Sequence, residues 1–200
     1  MTMLVPPQTT ALDDTAAIAE LRRVHEVQRQ AFLADPYPSL EERQGHLVAL
    51  AEMIVGYRDR IRTAMSQDFG VHPELFTDLV EVLGVAGRAM YALEQLPTWM
   101  AEDERPVEAA FYGTGRAGIR QQAKGVVGNI VPWNFPFDLS VGPLVEMLAA
   151  GNRVIIKPSD YTPACAELLQ RMVGQTFPEE RVAVVVGGIY VTLGPTVGAM

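Results

Sequence analysis

The chain contains one cysteine in 200 residues, so no disulfide can form within it. A protein without internal disulfides is typical of a reducing compartment. The first ten residues, MTMLVPPQTT, lack the basic segment and the apolar stretch of a signal peptide. No apolar run approaches the length needed to cross a membrane. We therefore predict a cytoplasmic protein.

Positive charge is also scarce, with 16 Lys and Arg against 24 Asp and Glu and a net charge of -8. An acidic surface argues against nucleic acids or anionic membranes as partners, because both bind cationic surfaces. The three histidines, His25, His46 and His72, are far apart and lack metal-ligand spacing, so we predict no metal site. A composition of 48% hydrophobic and 20% charged residues is typical of a folded globular protein.

The first hundred residues show the periodicity of amphipathic helices. We predict one helix from Asp14 to about Ala34, and a second that begins with a capping box formed by Ser39 and Glu42. The apolar face of this second helix is predicted to carry Leu47, Leu50, Ile54, Tyr57, Ile61 and Met65. A third helix is predicted over residues 73–97, with its apolar side formed by Phe76, Leu79, Val80, Leu83 and Met90.

After Gly125 the pattern alternates strand, helix, strand, helix, strand. The strands are predicted over residues 126–131, 154–156 and 182–186, and their continuous apolar character indicates parallel strands buried on both faces. The helices between them are predicted over 140–150, closed by Gly151, and over 162–173, capped by Thr162. The predicted fold class is therefore α/β, with N-terminal helices followed by the first βαβαβ part of a doubly wound, Rossmann-like sheet.

A glycine-rich stretch separates these two halves. Residues 107–122 are predicted to form two extended pieces around a turn, so we divide the chain into a helical part (1–106), a hairpin segment (107–124) and the βαβαβ part (125–200). Within the turn, GTGRAG satisfies the dinucleotide pattern GxGxxG. That pattern must open a helix to bind pyrophosphate, and here a strand follows, so a hairpin turn is favoured over a phosphate loop.

Two polar motifs follow the first two strands of the sheet: PWNFP at 132–136 and KPSD at 157–160. Open α/β sheets bind ligands at the edge where parallel strands end. Asn134 carries amide donors in a turn stiffened by two prolines, which suits the stabilisation of an oxyanion. Alternatively, Asn134 caps its own turn while Trp133 fills the core. Asp160 can accept ribose hydroxyls, or it can form only a surface ion pair with Lys157.

Two other matches are interpreted as structural. Cys165 falls on the core-facing stripe of its predicted helix, so we predict a buried thiol without a chemical role. Asp68-Phe69-Gly70 copies the kinase DFG triplet, but other kinase motifs are absent and Gly70 suits the end of a helix.

Together these residues resemble the aldehyde dehydrogenase superfamily. GVVGNIVPWNFPFDLSVGPLVEMLAAGNRVIIKPSDYTPACAELL is similar to the family's signature almost end to end, and the resemblance covers about residues 15–187. The segment LADPYPSLEERQGHLVAL most resembles the coniferyl aldehyde dehydrogenase branch. The resemblance implies an NAD(P)-dependent oxidoreductase that converts an aldehyde, of the aromatic coniferyl type, to a carboxylic acid.

The resemblance also assigns roles to individual residues. It implies that the Asn134 amide stabilises the oxyanion formed when a cysteine attacks the aldehyde, and that the 131–133 turn lies near the nicotinamide. Lys157 and Asp160 match the pair that contacts the adenosine ribose, and an acid at Asp160 favours NAD, with NADP as the alternative. The full set assigned to cofactor binding is Val131, Pro132, Trp133, Lys157, Ser159, Asp160, Gly194 and Pro195.

Two catalytic groups of the family are expected to be missing. Its nucleophilic cysteine and general-base glutamate lie in later motifs, whereas Cys165 lies in a scaffold helix, so we expect a truncated chain without the catalytic domain and without activity. By resemblance, the partners are an aldehyde substrate and further copies of the protein, bound through residues 107–122. The alternative is a naturally shortened, non-catalytic protein that binds nucleotide or a subunit.

Overall fold

A computed structural model of the protein describes residues 14–188 and 191. In this part of the chain an N-terminal set of helices precedes a parallel sheet, which confirms the predicted α/β class. None of its helices is long and apolar enough to cross a membrane. The elements are α1 (Asp14–Ala34), α2 (Leu40–Gly56), α3 (Arg58–Phe69), α4 (Glu74–Thr77), a π-helix (Asp78–Leu83), α5 (Gly84–Met100), β1 (Asp103–Arg105), α6 (Ala109–Tyr112), β2 (Ala117–Ile119), β3 (Val126–Ile130), α7 (Asp138–Ala149), β4 (Arg153–Lys157), α8 (Pro163–Thr176) and β5 (Val182–Val184).

The parallel sheet has the strand order β3-β4-β5, with helices on both of its faces. On one face, Ile155 of β4 belongs to a core cluster with Leu21 and Val24 of α1. On the other face, Val154 and Ile156 belong to the main core, to which α7 and α8 contribute. The doubly wound arrangement is therefore confirmed.

The prediction that all three strands are buried on both faces is wrong for β3. Ile130 at its end is 60% exposed, whereas every residue of β4 and β5 is buried. Among the described residues β3 pairs only with β4, so it forms an edge of the sheet. Edge position alone does not explain the difference, because β5 also pairs only with β4 in this part of the chain. Both core clusters cover β5: Ala183 belongs to one, and Val182 and Val184 belong to the other.

The first two helices begin where the sequence predicts. Helix α1 has the predicted bounds. Gln28 on its inner face is fully buried, and its side-chain NH2 group is satisfied there because it donates to the carbonyls of Val154 and Glu179. Helix α2 begins with the predicted capping box, in which Ser39 and Glu42 each accept a backbone N–H of the other. Local capping chemistry therefore fixes this boundary.

The single helix predicted to start at Ser39 and to carry this apolar face as far as Met65 is instead two helices that meet at Tyr57. Gly56 ends α2, and glycine in a helix costs stability because its backbone is the most flexible. The Tyr57 backbone N–H bonds to the carbonyls of Met53 and Val55, closing the last turn of α2. Both halves of the predicted apolar face are nevertheless buried, up to Ile61 and Met65 in α3.

The predicted inner side of the third helix is wrong. Phe76, Leu79, Leu83 and Met90 are all exposed, at 45–61%. The buried side is a stripe of mostly small residues packed toward α2 and α7: Thr77, Glu81, Val85, Ala89, Ala92 and Leu96. The wide turn of the π-helix changes the angular register of the residues that follow, and small side chains let the neighbouring helices approach closely.

The hairpin exists, but its strands differ from the prediction. Strands β1 and β2 pair antiparallel, with Glu104 opposite Gly118, so the first strand lies before residue 107. The short helix α6 occupies part of the segment predicted to be extended. Gly113 follows α6 with a φ of 57°, Gly115 precedes β2 and Gly118 lies within it, so a strand and not a helix follows the turn. The hairpin-turn interpretation of GTGRAG is confirmed.

The cap of α8 comes from a residue that the sequence did not indicate. Thr162 holds the N-cap position, but its side chain makes no capping hydrogen bond. Instead, the Asp68 carboxylate accepts the backbone N–H groups of Ala164 at 3.1 Å and Cys165 at 2.8 Å. Gly70, with a φ of 77°, ends α3 immediately afterwards, as predicted. The DFG triplet is therefore a structural link between α3 and α8.

Replacing Asp68 by alanine is expected to lower the free energy of unfolding by about 1–2 kcal/mol. The change leaves two N–H groups at the start of α8 without their acceptor. Denaturation with urea measures the effect, and Ser66→Ala is the control because Ser66 lies exposed in the same helix. Equal stabilities of the two variants would show that Asp68 does not hold α8.

Candidate functional site

The two polar motifs lie side by side at the carboxyl edge of the sheet. The Val131 backbone N–H donates to the carbonyl of Lys157 at 3.0 Å, just beyond the register pair Ile130–Lys157. The next strand continues the same edge, since the Val185 N–H donates to the Ile156 carbonyl at 2.9 Å. The predicted adjacency is therefore present, at the edge where open α/β sheets bind ligands.

The PWNFP turn presents its central residues outward. Pro132, Trp133 and Asn134 are exposed, and Trp133 retains 54% of its accessible surface. No hydrogen bond involves the Asn134 side chain in the part of the chain that the structure describes. The alternative in which Asn134 caps its own turn while Trp133 fills the core is therefore wrong. The amide is available to a ligand, which leaves its catalytic role a prediction.

An acidic side chain that sequence reasoning missed closes the turn. Glu81 of the π-helix is fully buried, and its Oε2 accepts the backbone N–H groups of Phe137 at 2.9 Å and Asp138 at 2.6 Å. These donors open α7, directly after the turn. Desolvation, aided by the charge of Asp138, raises the pKa of Glu81 to about 7, although the two backbone hydrogen bonds oppose the shift.

The KPSD motif offers a partly exposed acid beside a buried base. The Nζ of Lys157 lies 4.0 Å from Oδ1 of Asp160, and their side chains are 10% and 30% exposed. Burial lowers the pKa of Lys157, while the negative charge of Asp160 acts in the opposite direction. Ser159 is buried, and its Oγ accepts the Tyr161 backbone N–H at 3.2 Å. Asp160 thus keeps acceptor capacity toward solvent.

The remaining predicted cofactor contacts fall partly outside this site. Gly194 and Pro195 lie outside the described residues. Val131 is 4% exposed, so a ligand can meet its backbone but little of its side chain. Within the described part of the chain, the structure thus brings Val131, Pro132, Trp133, Asn134, Lys157, Ser159 and Asp160 to one edge.

Aromatic residues precede and follow Asn134 in the sequence, and their rings pack against further rings. The ring of Trp133 lies 6.5 Å from that of Phe69, and the ring of Phe135 lies 6.4 Å from that of Phe76, measured between centroids. His72 joins the two pairs, at 5.7 Å from Phe69 and 5.8 Å from Phe76. These rings adjoin the exposed apolar residues of α4 and the π-helix, so the amide lies at the border of an apolar aromatic surface.

Cys165 is not a nucleophile in this structure. It is 1% exposed and its Sγ lies 3.7 Å from Sδ of Met65. Burial, followed by the neighbouring Asp68, raises the pKa of the Cys165 thiol far above its usual range, whereas a nucleophilic cysteine needs the thiolate. The predicted structural role is confirmed. Among the described residues, no group of histidine, cysteine and acidic side chains could hold a metal ion.

Comparison with known proteins identifies the family. The sequence pattern of the "Aldehyde dehydrogenase family" matches residues 11–194. The chain belongs to the aldehyde dehydrogenase family. It is 41% identical over 179 residues to a "Probable coniferyl aldehyde dehydrogenase" of Caulobacter vibrioides, covering 88% of this chain and 37% of the relative. A "Coniferyl aldehyde dehydrogenase" of a Pseudomonas species is 35% identical over 159 residues, covering 80% and 32%.

Solved aldehyde dehydrogenases share the fold. The substrate-bound state of Staphylococcus aureus AldH superposes with a TM-score of 0.80 at 25% identity, covering 86% of this chain and 37% of that one. A Mycobacterium tuberculosis aldehyde dehydrogenase complexed with NAD+ gives a TM-score of 0.75 at 26% identity, covering 90% and 36%. The chain thus spans about a third of the length of these aldehyde dehydrogenases, between 32% and 37%.

Proposed function

We propose that this chain supplies an NAD-binding part of an oxidoreductase that converts an aldehyde to a carboxylic acid. One observation carries the proposal: the exposed Asn134 amide and the Lys157–Asp160 pair share the carboxyl edge of a parallel sheet. Dinucleotides bind at such an edge in open α/β folds. Membership of the aldehyde dehydrogenase family supplies the reaction class.

Each side chain at this edge has a role that its chemistry supports. Asn134 would donate from its free amide to the oxygen of the aldehyde as that oxygen becomes negative, since fixed donors stabilise a developing oxyanion. The backbone of Val131, Pro132 and Trp133 would line the nicotinamide. NAD, when bound, supplies the hydride acceptor.

The acidic residue at this edge favours NAD over NADP. A carboxylate can accept two ribose hydroxyls, and it repels the 2′-phosphate that distinguishes NADP. Asp160 is partly exposed and its nearest cation is Lys157, 4.0 Å away, so its oxygens remain free to accept. The buried Ser159 would support the backbone of this loop, and Gly194 and Pro195 are proposed for the adenine end.

The aromatic surface beside Asn134 supports an aromatic aldehyde as substrate. Trp133 and Phe135 flank Asn134 in the sequence, and Phe69, His72 and Phe76 extend the aromatic surface. Flat apolar rings favour stacking with another aromatic ring. The relatives named as coniferyl aldehyde dehydrogenases support the same substrate class.

The 200-residue chain is expected to form no NADH from NAD and any aldehyde. Covalent aldehyde oxidation requires a thiolate nucleophile, and the single cysteine, Cys165, is buried with its proton retained. Absorbance of NADH during incubation with coniferyl-type and aliphatic aldehydes measures this. Formation of NADH by the purified chain would overturn the expectation.

The same buried cysteine supports the second candidate, a non-catalytic nucleotide-binding or subunit-interaction protein.

Assembly with further copies of the protein is proposed to use the hairpin region, residues 107–122. In this segment Phe111 is 80% exposed, Tyr112 is 66% exposed and Ile119 is 46% exposed. Exposed apolar groups of this size are typical of protein interfaces.

A cytoplasmic location remains a prediction from the single cysteine.

Calorimetric titration with NAD tests the proposal directly. Asp160→Ala is expected to weaken NAD binding by about 10-fold to 100-fold, the cost of losing hydrogen bonds to a charged acceptor. The same change should narrow the preference for NAD over NADP, because the repelling charge is gone. Glu167→Ala is the matched control, since Glu167 is an exposed acid on α8. Absence of NAD binding, or equal binding by both variants, would contradict the proposal.

A further inference from the structure

Glu81 occupies an unusual position for a carboxyl group. It is fully buried within the π-helix, and insertions of π-helical turns are frequent at functional sites. Its Oε2 accepts the backbone N–H groups of Phe137 and Asp138. Its Oε1 is buried and has no hydrogen-bond partner among the described residues. A buried acceptor without a partner costs free energy, so something other than stability favours an acid here.

The contacts of Glu81 bear directly on the position of Asn134. Phe137 follows the PWNFP turn, and its side chain is fully buried. At the other end of the turn, the Val131 N–H is bonded to the carbonyl of Lys157 at 3.0 Å. The segment between these fixed ends is five residues long and carries two prolines. Because the two prolines restrict φ at both ends of this short segment, we expect a displacement of either end to be passed on to Asn134.

We propose that Glu81 is the positioning residue of the PWNFP turn, and that its carboxylate, by holding the first turn of α7, places the Asn134 amide at the carboxyl edge of the sheet. The inference rests on the proposed function, because only there is the Asn134 amide assigned to the reaction. In this arrangement, Glu81 acts on the reaction through Asn134 and touches no substrate.

The charge on Glu81 determines how firmly the turn is held. A carboxylate accepts N–H groups more strongly than a neutral carboxyl group does, so protonation of Glu81 should loosen the start of α7. The groups that face it are Asp138 of α7 and the Cys165 thiol of α8. Arg88 of α5 pairs with Asp138 at 2.9 Å, and Asp68 of α3 bonds to the backbone N–H of Cys165. Among these groups, the negative charge of Asp138 favours the protonated form of Glu81.

Proton–nitrogen NMR spectra of the full 200-residue chain, recorded as a function of pH, test the proposal. The backbone signals of Phe137 and Asp138 and the side-chain NH2 signals of Asn134 are expected to shift together. The shared transition should have its midpoint near the Glu81 pKa of about 7. A role limited to filling space would not make the Asn134 signals titrate.

Two variants assign the transition to Glu81. Glu81→Gln keeps an acceptor oxygen without an ionisable proton, so all three sets of shifts should disappear while the fold is retained. Glu146 is an exposed acid on α7, so Glu146→Gln should leave the transition unchanged. Should Glu81→Gln not fold, Asp138→Asn decides instead: loss of the Asp138 charge must move the midpoint to lower pH.

Three results would overturn the proposal. Titration of Phe137 and Asp138 with static Asn134 signals would mean that Glu81 caps α7 without positioning the amide. Persistence of the transition in Glu81→Gln, or an unmoved midpoint in Asp138→Asn, would assign it to another group. None of these measurements uses NAD. Failure of the proposed function would therefore appear separately: the chain would not bind NAD, although its Asn134 signals would still titrate.

Discussion

Replacing Phe137 by alanine is expected to lower the free energy of unfolding by about 3–5 kcal/mol, the range for removing a large side chain from a packed core. Phe137 is fully buried and is among the largest side chains of the core. It also lies between the PWNFP turn and α7, so the cavity would open next to the turn. Urea denaturation followed by far-ultraviolet circular dichroism measures the change.

Leu33→Ala is the control for this prediction. Leu33 is 59% exposed near the end of α1, so shortening its side chain leaves no cavity, and its effect should stay within about 0.5 kcal/mol. A loss for Phe137→Ala no larger than that of the control would mean that α7 is not packed against the core as described.

The second large effect is a pH dependence of stability that belongs to Glu81. Its pKa is raised from 4.5 to about 7 in the folded chain, so the folded state holds the proton more tightly than the unfolded state. The associated stability is fully present below the unfolded pKa and is lost as pH rises through the folded pKa. Glu81→Gln removes this dependence. As the pH increases from 4.5 to about 7, the stability of the variant relative to the unmodified chain should therefore rise, by at most about 3 kcal/mol.

Urea denaturation of both proteins at several pH values between about 4 and 8 measures this difference. Comparing the two proteins cancels the titration of every other group that the substitution leaves alone. Glu146→Gln serves again as the exposed control and should track the unmodified chain. A stability difference that does not change with pH would contradict the raised pKa of Glu81.

The sequence predicted those parts of the fold that depend on local chemistry or on continuous apolar runs. The Ser39 capping box is a local interaction, and the strands around Val154 and Val182 are apolar runs bounded by turns. The buried side of the third helix was mispredicted because the helix carries two apolar stripes. The stripe with the larger side chains was predicted to be buried, but it is exposed. The stripe that is buried includes Glu81 and Ala89, which periodicity weighted by hydrophobicity ranks low.

The site was predictable to the same extent. The PWNFP and KPSD motifs had to meet because parallel neighbours end at one edge, and the Val131–Lys157 hydrogen bond confirms it. The contributions of Asp68 and Glu81 were not predictable, because each caps a helix about 57 to 97 residues away in sequence. An acid at the helical spacing of small buried residues was the only signal for Glu81.

Amide hydrogen exchange of the chain with and without NAD tests the central claim most directly, since it locates a nucleotide without assuming where it binds. The proposed function predicts slower exchange in residues 130–136 and 157–162 when NAD is added. It also predicts no change in the glycine turn at 113–118, which copies the dinucleotide pattern. Protection confined to that turn, or no protection anywhere at saturating NAD, would contradict a nucleotide site at the carboxyl edge of the sheet.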